Sequence, residues 1–350
     1  METLTETTLY PKITNHIKEV VKALKWSHRD PSNPEKEVIL PSIPIVGTVK
    51  LHGTHVDILV YQDNTIVLQS RNNANLMTTA DNQGFANAMT KKRGAILSLR
   101  NRYHARWREL HPGEPIDMSV PITIAGEWIG EKIQKGVALV RLSKRLVIIS
   151  VKINGKWVPD ADYPNIEEPK EGIYNISRGG FYYSTLYPQD QQCTNDNLEK
   201  LAERVAAQCP FAESFGVIGE GEGLVWKLVP HIDQSELWFK TKGGKFKPTF
   251  TSAPKKLSAD DAGKRQAAAT VAKAWCSEQR MEQGWDYLRE QSIPQNLKGI
   301  GAFLKWVQQD ILLEEVGYIE EHMIHEQMLR MEIIAIAKPW FQERYKKEDE

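Results

Sequence analysis

The feature that most narrows the fold is a change of pattern along the chain. Up to about residue 242 short β-branched and alternating runs recur, whereas beyond Pro254 apolar residues fall almost wholly at helical spacing. Between residues 45 and 70 the runs VGTVKLHG, HVDILVYQ and NTIVLQS predict strands joined as a meander or hairpin, with Asp63 and Asn64 at the turn. Further strands are expected over 122–128, 145–153, 223–229 and 237–240. Helices are expected over 13–26, 86–110 and 195–208; the first has Asn15 as its cap and Ile17, Val20, Val21 and Leu24 on one face. Strands interrupted by helices, with several apparent hairpins, predict an α+β fold rich in antiparallel pairs.

The tail reads differently. Residues 257–291 and 296–344 show almost no strand signal, and Ile300, Phe303, Leu304, Val307 and Ile311 form one helical stripe. An all-helical domain over 251–350 is therefore expected after a first domain over 1–250, with the boundary in the Pro-containing loop at 250–256. A chain of 350 residues suits two domains of this size.

Composition adds limits. With 41% hydrophobic and 26% charged residues the chain is an ordinary globular protein, and its formal net charge of +0 means that any nucleic acid must be held by locally gathered charge. Such a patch exists over 237–258, where Lys240, Lys242, Lys245, Lys247, Lys255 and Lys256 occur without an acid. It reads either as a phosphate-binding surface or as a solvated loop. Cys193, Cys209 and Cys276 are widely spaced and read as reduced thiols of an intracellular protein. The start, METLTETTLY, is no signal or transit peptide, and no apolar run approaches the length needed to span a bilayer. A cytoplasmic protein with no membrane partner is expected.

Three segments carry candidate chemistry. In Lys50-Leu51-His52-Gly53-Thr54 a strand delivers a lysine into a turn that Gly53 frees to bend. A lysine amine becomes a nucleophile only when its proton is removed, and Lys240 and Lys242, on one face of a strand by alternation, supply positive charge that would oppose a third charge nearby. In Glu222-Gly223-Leu224-Val225-Trp226-Lys227, alternation groups Glu222 with Leu224 and Trp226, and Val225 with Lys227; a carboxylate so placed can hold hydrated Mg²⁺ against phosphates. In Gly126-Glu127-Trp128-Ile129-Gly130, the glutamate follows an apolar strand and could accept a ribose hydroxyl. Gly219-Glu220-Gly221 precedes a strand and so is no dinucleotide fingerprint. His322 and His325, three apart on an expected helix, read as a solvated face before a metal pair, and Trp275, Trp285 and Trp306 as helical core.

Taken in order, KLHGTH, QSRNN, GEWIG, EGLVWK and KTKGGKF resemble the motifs of the covalent nucleotidyltransferases, the ligases and capping enzymes. With histidine at position 52 the chain looks most like the RNA ligase 2 family of phage double-strand RNA ligases and kinetoplastid editing ligases. GEWIGEKIQKGV extends that likeness, and WVQQDILLEE and KPWFQE resemble the family's helical C-terminal domain, which helps engage an RNA duplex. About four-fifths of the chain is covered, more weakly over 154–215.

The resemblance implies an ATP-dependent RNA ligase joining 3′-OH and 5′-phosphate ends through lysyl-AMP and RNA-adenylate, with Mg²⁺ or Mn²⁺ as the metal. It implies Lys50 as the nucleophile, Glu127 on the ribose, Arg71 on ribose or RNA terminus, and Glu222 at the metal. Lys227, Lys240 and Lys242 would bind adenylate phosphate and pyrophosphate, with His52 and Gly53 completing the nucleotide site. RNA with nicked or base-paired ends is the implied partner, and a monomer the implied state. The chain departs from the family in having His55 where asparagine is frequent, and the aliphatic Leu146-Val147-Ile148-Ile149 where an aromatic usually stacks on adenine; Trp226 is the substitute ring considered. A capping-type transferase using GTP and a non-catalytic RNA-end-binding protein are the competing readings.

Overall fold

The computed structural model describes residues 10–33, 36–247 and 261–349. Its contacts form two compact units, one built mainly of residues up to Lys247 and one mainly of those beyond 260. The expected boundary at 250/251, with Lys255 and Lys256, lies outside the described residues.

In the first unit α1 (Ile17–Ser27) precedes β1 (Ile43–Lys50), β2 (Thr54–Val60) and β3 (Ile66–Ser70). Then come α2 (Phe85–Thr90), α3 (Arg93–Leu110), β4 (Ile122–Ile129), β5 (Arg145–Ile153), β6 (Lys156–Trp157), β7 (Ile173–Asn175) and β8 (Phe181–Leu186). The unit closes with α4 (Gln191–Ala207), α5 (Pro210–Glu213), β9 (Gly223–Leu228) and β10 (Phe239–Lys242). Two sheets result. One has the order β10-β9-β1-β8, antiparallel throughout; the other has the order β3-β2-β4-β5-β6, with β7 added parallel to β5.

The hairpin expected over 45–70 is thus only half present. β2 and β3 pair across a turn in which Asn64 takes a left-handed φ of 67° and Tyr61 N–H donates to the Thr65 carbonyl at 2.9 Å. β1, however, pairs with β8 and β9 in the other sheet, so residues 51–53 carry the chain from one sheet to the other. Alternation defines a strand's faces but not its neighbour.

Each sheet buries its outer face under helices. Ile17, Val20, Val21 and Leu24 of α1, with Leu198 and Val205 of α4, pack on Ile43, Ile45, Val49, Leu224, Trp226 and Leu228. Burying each such side chain stabilises by roughly 1.5–3 kcal/mol. The cap of α1 is His16, with no side-chain hydrogen bond, in place of Asn15. On the second sheet Ile96, Leu99, Tyr103 and Trp107 of α3 cover Val56, Ile58, Ile122, Ile124 and Ile148. The single helix expected over 86–110 breaks at Lys91 and Lys92 into α2 and α3.

The second unit consists, among the described residues, of α6 (Asp261–Trp275), α7 (Glu278–Glu290), α8 (Ile300–Glu314), α9 (Val316–Glu321) and α10 (Glu326–Asp349). Trp275, Trp285 and Trp306 belong to its core. Gly284 lets α7 approach α8, since a Cβ there would lie 2.9 Å from Phe303 Cε2. His322 and His325 flank the break between α9 and α10 instead of sharing a helix; His322 stacks on Tyr318 at 3.9 Å. No cluster of three or more metal-ligating side chains occurs among the described residues.

The tail motifs have a structural use. Arg280 is held by Asp310 at 2.9 Å, Glu314 at 2.6 Å and Glu315 at 3.7 Å, all from WVQQDILLEE or its end. From KPWFQE, Trp340 stacks on Phe303 with rings 5.6 Å apart and Phe341 is fully buried. Removing one partner from such a buried charge cluster strands the rest. Arg280→Ala should therefore destabilise the helical unit by about 3–5 kcal/mol, read as a lowered denaturation midpoint in urea; an unshifted midpoint would contradict the clamp.

Candidate active site

The register places the lysines on one surface. Opposed residues of an antiparallel pair share a face, so Lys50, Gly223 and Lys242 form one row, Phe181, Thr48, Val225 and Lys240 a second, and Tyr183, Val46 and Lys227 a third. This face looks toward the second sheet: Lys227 Nζ donates to Ser150 Oγ of β5 at 2.6 Å and meets Asp160 Oδ2, beyond β6, at 2.5 Å.

Glu222 lies at the centre. Its Oε2 is 2.7 Å from Lys50 Nζ and 3.1 Å from His52 Nδ1, and its Oε1 is 3.2 Å from Lys242 Nζ. Its side chain is fully buried, while those of both lysines are 20% exposed at the cleft mouth. Alternation assigned Glu222 to the face of Leu224 and Trp226, but its carboxylate reaches the lysine face. The reason is Gly223, whose φ of 151° interrupts the alternation at the start of β9. A Cβ there would fall onto the Thr241 carbonyl.

Burial alone would raise the Glu222 carboxyl, yet the charges of Lys50 and Lys242 and the bond from His52 hold it well below the usual carboxylate range. Oε1 faces the Lys242 ammonium but accepts no well-aligned hydrogen bond. A buried, ionised oxygen with spare acceptor capacity suits a divalent cation that keeps most of its water.

The second sheet contributes Glu127, which lies inside β4, not after it. Its position follows the register shift between Ala125 and Gly126, and it stands opposite His55 and Val147. Glu127 Oε1 accepts the Gly53 N–H at 3.0 Å, and Gln134 Nε2 donates to the Gly53 carbonyl at 3.2 Å. Burial pushes the Glu127 carboxyl up, against the pull of Lys50, His55 and Arg71. Arg71, just beyond β3, is thus near enough to act electrostatically. Gly53 is needed for closeness and not for bending: a Cβ there would sit 2.7 Å from Ile129 Cγ2 and 2.9 Å from Glu127 Cγ.

Other expected residues are placed differently. Trp226 is fully buried on the opposite face against Gly47, with Nε1 donating to Thr241 Oγ1 at 3.1 Å, so its ring cannot reach a nucleotide in the cleft. Lys227 is buried, with Trp238 4.1 Å below its ammonium. Burial pushes that ammonium down and the Asp160 carboxyl up, each opposed by the other's charge. Lys245 pairs with Glu220, and Lys247 with Glu199 at 2.8 Å, so the basic run is partly neutralised. His55 is buried, 3.1 Å from Asp57 and stacked on Tyr10 at 4.7 Å.

Tyr10, Asp57, Ser150 and Asp160 were not singled out from the sequence. Tyr10 stood alone in a polar segment, and no spacing links Asp160 to Lys227 across 67 positions.

Two sheets, antiparallel except for β7, close on Lys50 with carboxylates from both, an arrangement consistent with the nucleotidyltransferase fold. The sequence model of one branch, described as RNA ligase, matches residues 43–242, which contain every cleft residue above except Tyr10. The chain belongs to the RNA ligase family.

No curated protein matches the chain. Among solved structures it is similar to a Naegleria gruberi RNA ligase: to a variant with ATP and Mn at 13% identity and TM-score 0.39, covering 68% of this chain and 56% of that one. A second variant with ATP and Mn gives 16% and 0.37, covering 70% and 58%, and the form with pyrophosphate 13% and 0.38, covering 68% and 56%. The match thus spans little more than half of each of those chains. No helix among the described residues is long and apolar enough to cross a membrane.

The low position of Glu222 sets a pH dependence. Its carboxyl returns to about 4.3 on unfolding, so its stabilisation is complete above that value and is lost as the pH falls through the folded one. Urea unfolding of wild type and Glu222→Gln between about pH 7 and pH 3 should show a stability gap that narrows as the pH falls below about 4.3; a constant gap would contradict this.

Proposed function

We propose that this chain is an ATP-dependent RNA ligase of the RNA ligase 2 type, with Lys50 as the residue that carries AMP. The observation that carries the proposal is one buried carboxylate, that of Glu222, shared by Lys50, Lys242 and His52.

In the first step the Lys50 amine forms a bond to the α-phosphorus of ATP as the bond to pyrophosphate breaks. An oxygen of an RNA 5′-phosphate then attacks the same phosphorus, releasing Lys50 and giving an RNA-adenylate. Finally a 3′-hydroxyl attacks the 5′-phosphorus and AMP leaves. Before the first step Lys50 must give up both a proton and its contact with Glu222, because an ammonium has no lone pair to donate.

Positioning and charge do most of the work in such displacements. Lys240 and Lys242 would bind the transferred phosphate and the pyrophosphate. Lys227 would join them only by leaving Asp160. Glu127, with Arg71 nearby, would meet the ribose, while its bond to Gly53 and the His52–Glu222 contact fix the turn beside Lys50. Mg²⁺, or Mn²⁺, held at Glu222 would supply positive charge against the phosphates. The substrate would be RNA with 3′-OH and 5′-phosphate ends, nicked or base-paired, with the helical domain over 251–350 engaging the duplex and the protein acting as a cytoplasmic monomer.

Incubation with ATP and Mg²⁺ should add the mass of one AMP, mapping to Lys50. Lys50→Ala should form no adduct and should not seal 5′-phosphorylated RNA, yet should still seal pre-adenylated RNA. An adduct on another residue would overturn the assignment.

A further inference from the structure

The lysine face continues beyond the reacting lysine onto β8, an edge strand with no motif residue in it. Phe181 stands opposite Thr48, and Tyr183 opposite Val46, so both rings share the face of Lys50, Lys240 and Lys242. Strand spacing puts their Cα atoms about 8 and about 14 Å from that of Lys50. Tyr182 points the other way and packs against the core.

Exposure rises toward this edge. In the third row Lys227 is buried, Val46 is half-buried, and Tyr183 is 70% exposed. In the second row Lys240 and Thr48 are buried while Val225 and Phe181 are half-buried. The face is therefore closed by the second sheet at Lys227 and opens over β8 at Tyr183. An extended polyanion reaching Lys50 along this open side crosses Tyr183, then Phe181, and ends among the lysines.

An aromatic platform beside a cationic row is how proteins hold single-stranded nucleic acid: the charges take the backbone and the rings take the bases. We infer that Tyr183, with Phe181 behind it, stacks on an unpaired base of the RNA strand whose end is delivered to Lys50. The inference rests on the proposed RNA ligase reading and changes its substrate from fully paired ends to ends that present an unpaired base near the junction. Tyr183 is a positioning residue here, since it touches no reacting atom.

The test uses the full chain and 5′-phosphorylated single-stranded RNA carrying 2-aminopurine at successive positions from the 5′ end. Wild type should quench the fluorophore at one position. Tyr183→Ala should lose that quenching and bind about 5- to 150-fold more weakly, the range for losing one base–aromatic stack. Tyr183→Phe, which keeps the ring, should retain both. Circular dichroism and an unchanged Tm would show that the exposed position tolerates alanine.

Quenching and affinity equal to wild type in Tyr183→Ala would overturn the inference. So would a change of oligomeric state on substitution with the RNA response intact, which would assign the edge to a second copy of the chain. AMP-adduct formation without RNA quenching in wild type would sink this inference and leave the ligase reading standing. Tyr183-dependent quenching without an adduct would do the reverse.

Discussion

A fully buried carboxylate is the constraint around which the cleft is arranged. Taking an ionised carboxylate out of water costs several kcal/mol unless charges and hydrogen bonds replace the lost solvation. For Glu222 the replacements come from the end of β1, the following turn and the end of β10. They converge only because Lys50 and Lys242 stand opposite the same glycine in register. A one-residue slip of either strand would turn its lysine to the helix-covered face and take one of the two lysine charges from Glu222. The ion cluster therefore specifies pairing as well as chemistry, which an apolar contact at the same place would do less sharply.

The sheets are tied together at two levels. Near the mouth, Gly53 lies against β4 and donates to Glu127, so the turn that follows Lys50 is fixed by the opposite sheet. Deeper, Lys227, Ser150 and Asp160 form a buried polar link beneath which Trp238 lies. Tyr10 packs beside this link, stacked on His55, and burial together with Asp160 keeps its phenol protonated. The deep link is nearly sealed from water, whereas Lys50 and Lys242 reach it.

Much of this was legible in the sequence, and the failures share a cause. Alternation put Lys240 and Lys242 on one face, as the register does, although the strand expected over 237–240 runs over Phe239–Lys242; the strand before Lys50 was recognised from its β-branched residues. What local pattern could not supply was partnership between distant strands. The runs around Lys50 and Val56 look like two arms of a hairpin, yet the chain changes sheet between them, passing β4 at Gly53 so closely that a side chain there would clash. Glu222 was given the wrong face because the rule of two holds inside a strand, and Gly223 starts this one with a left-handed φ. Trp226 was considered as a nucleotide-stacking ring because it lies near Glu222, but it packs on Gly47 in the neighbouring strand, a contact invisible without the pairing. Asp160 and Tyr10 had no periodicity to betray them.

A chain with no net charge can still serve a polyanion if its lysines exchange partners. Lys50 and Lys242 share Glu222, and Lys227 holds Asp160, so the cleft without ligand is largely charge-compensated. On the proposed reading, phosphate binding would be a substitution whose free energy is a difference between two sets of ion pairs. The exchange is cheapest where water already shares the charge: partly exposed pairs are worth about 0–1 kcal/mol, while stripping one partner from a buried pair costs about 3–5 kcal/mol. Lys50 and Lys242, each 20% exposed, are reached by water although the carboxylate they share is fully buried, whereas Lys227, with a side chain 3% exposed, lies at the second limit. The face of Lys50, Lys242 and Lys227 therefore divides by depth into two cations that water reaches and one that links the two sheets.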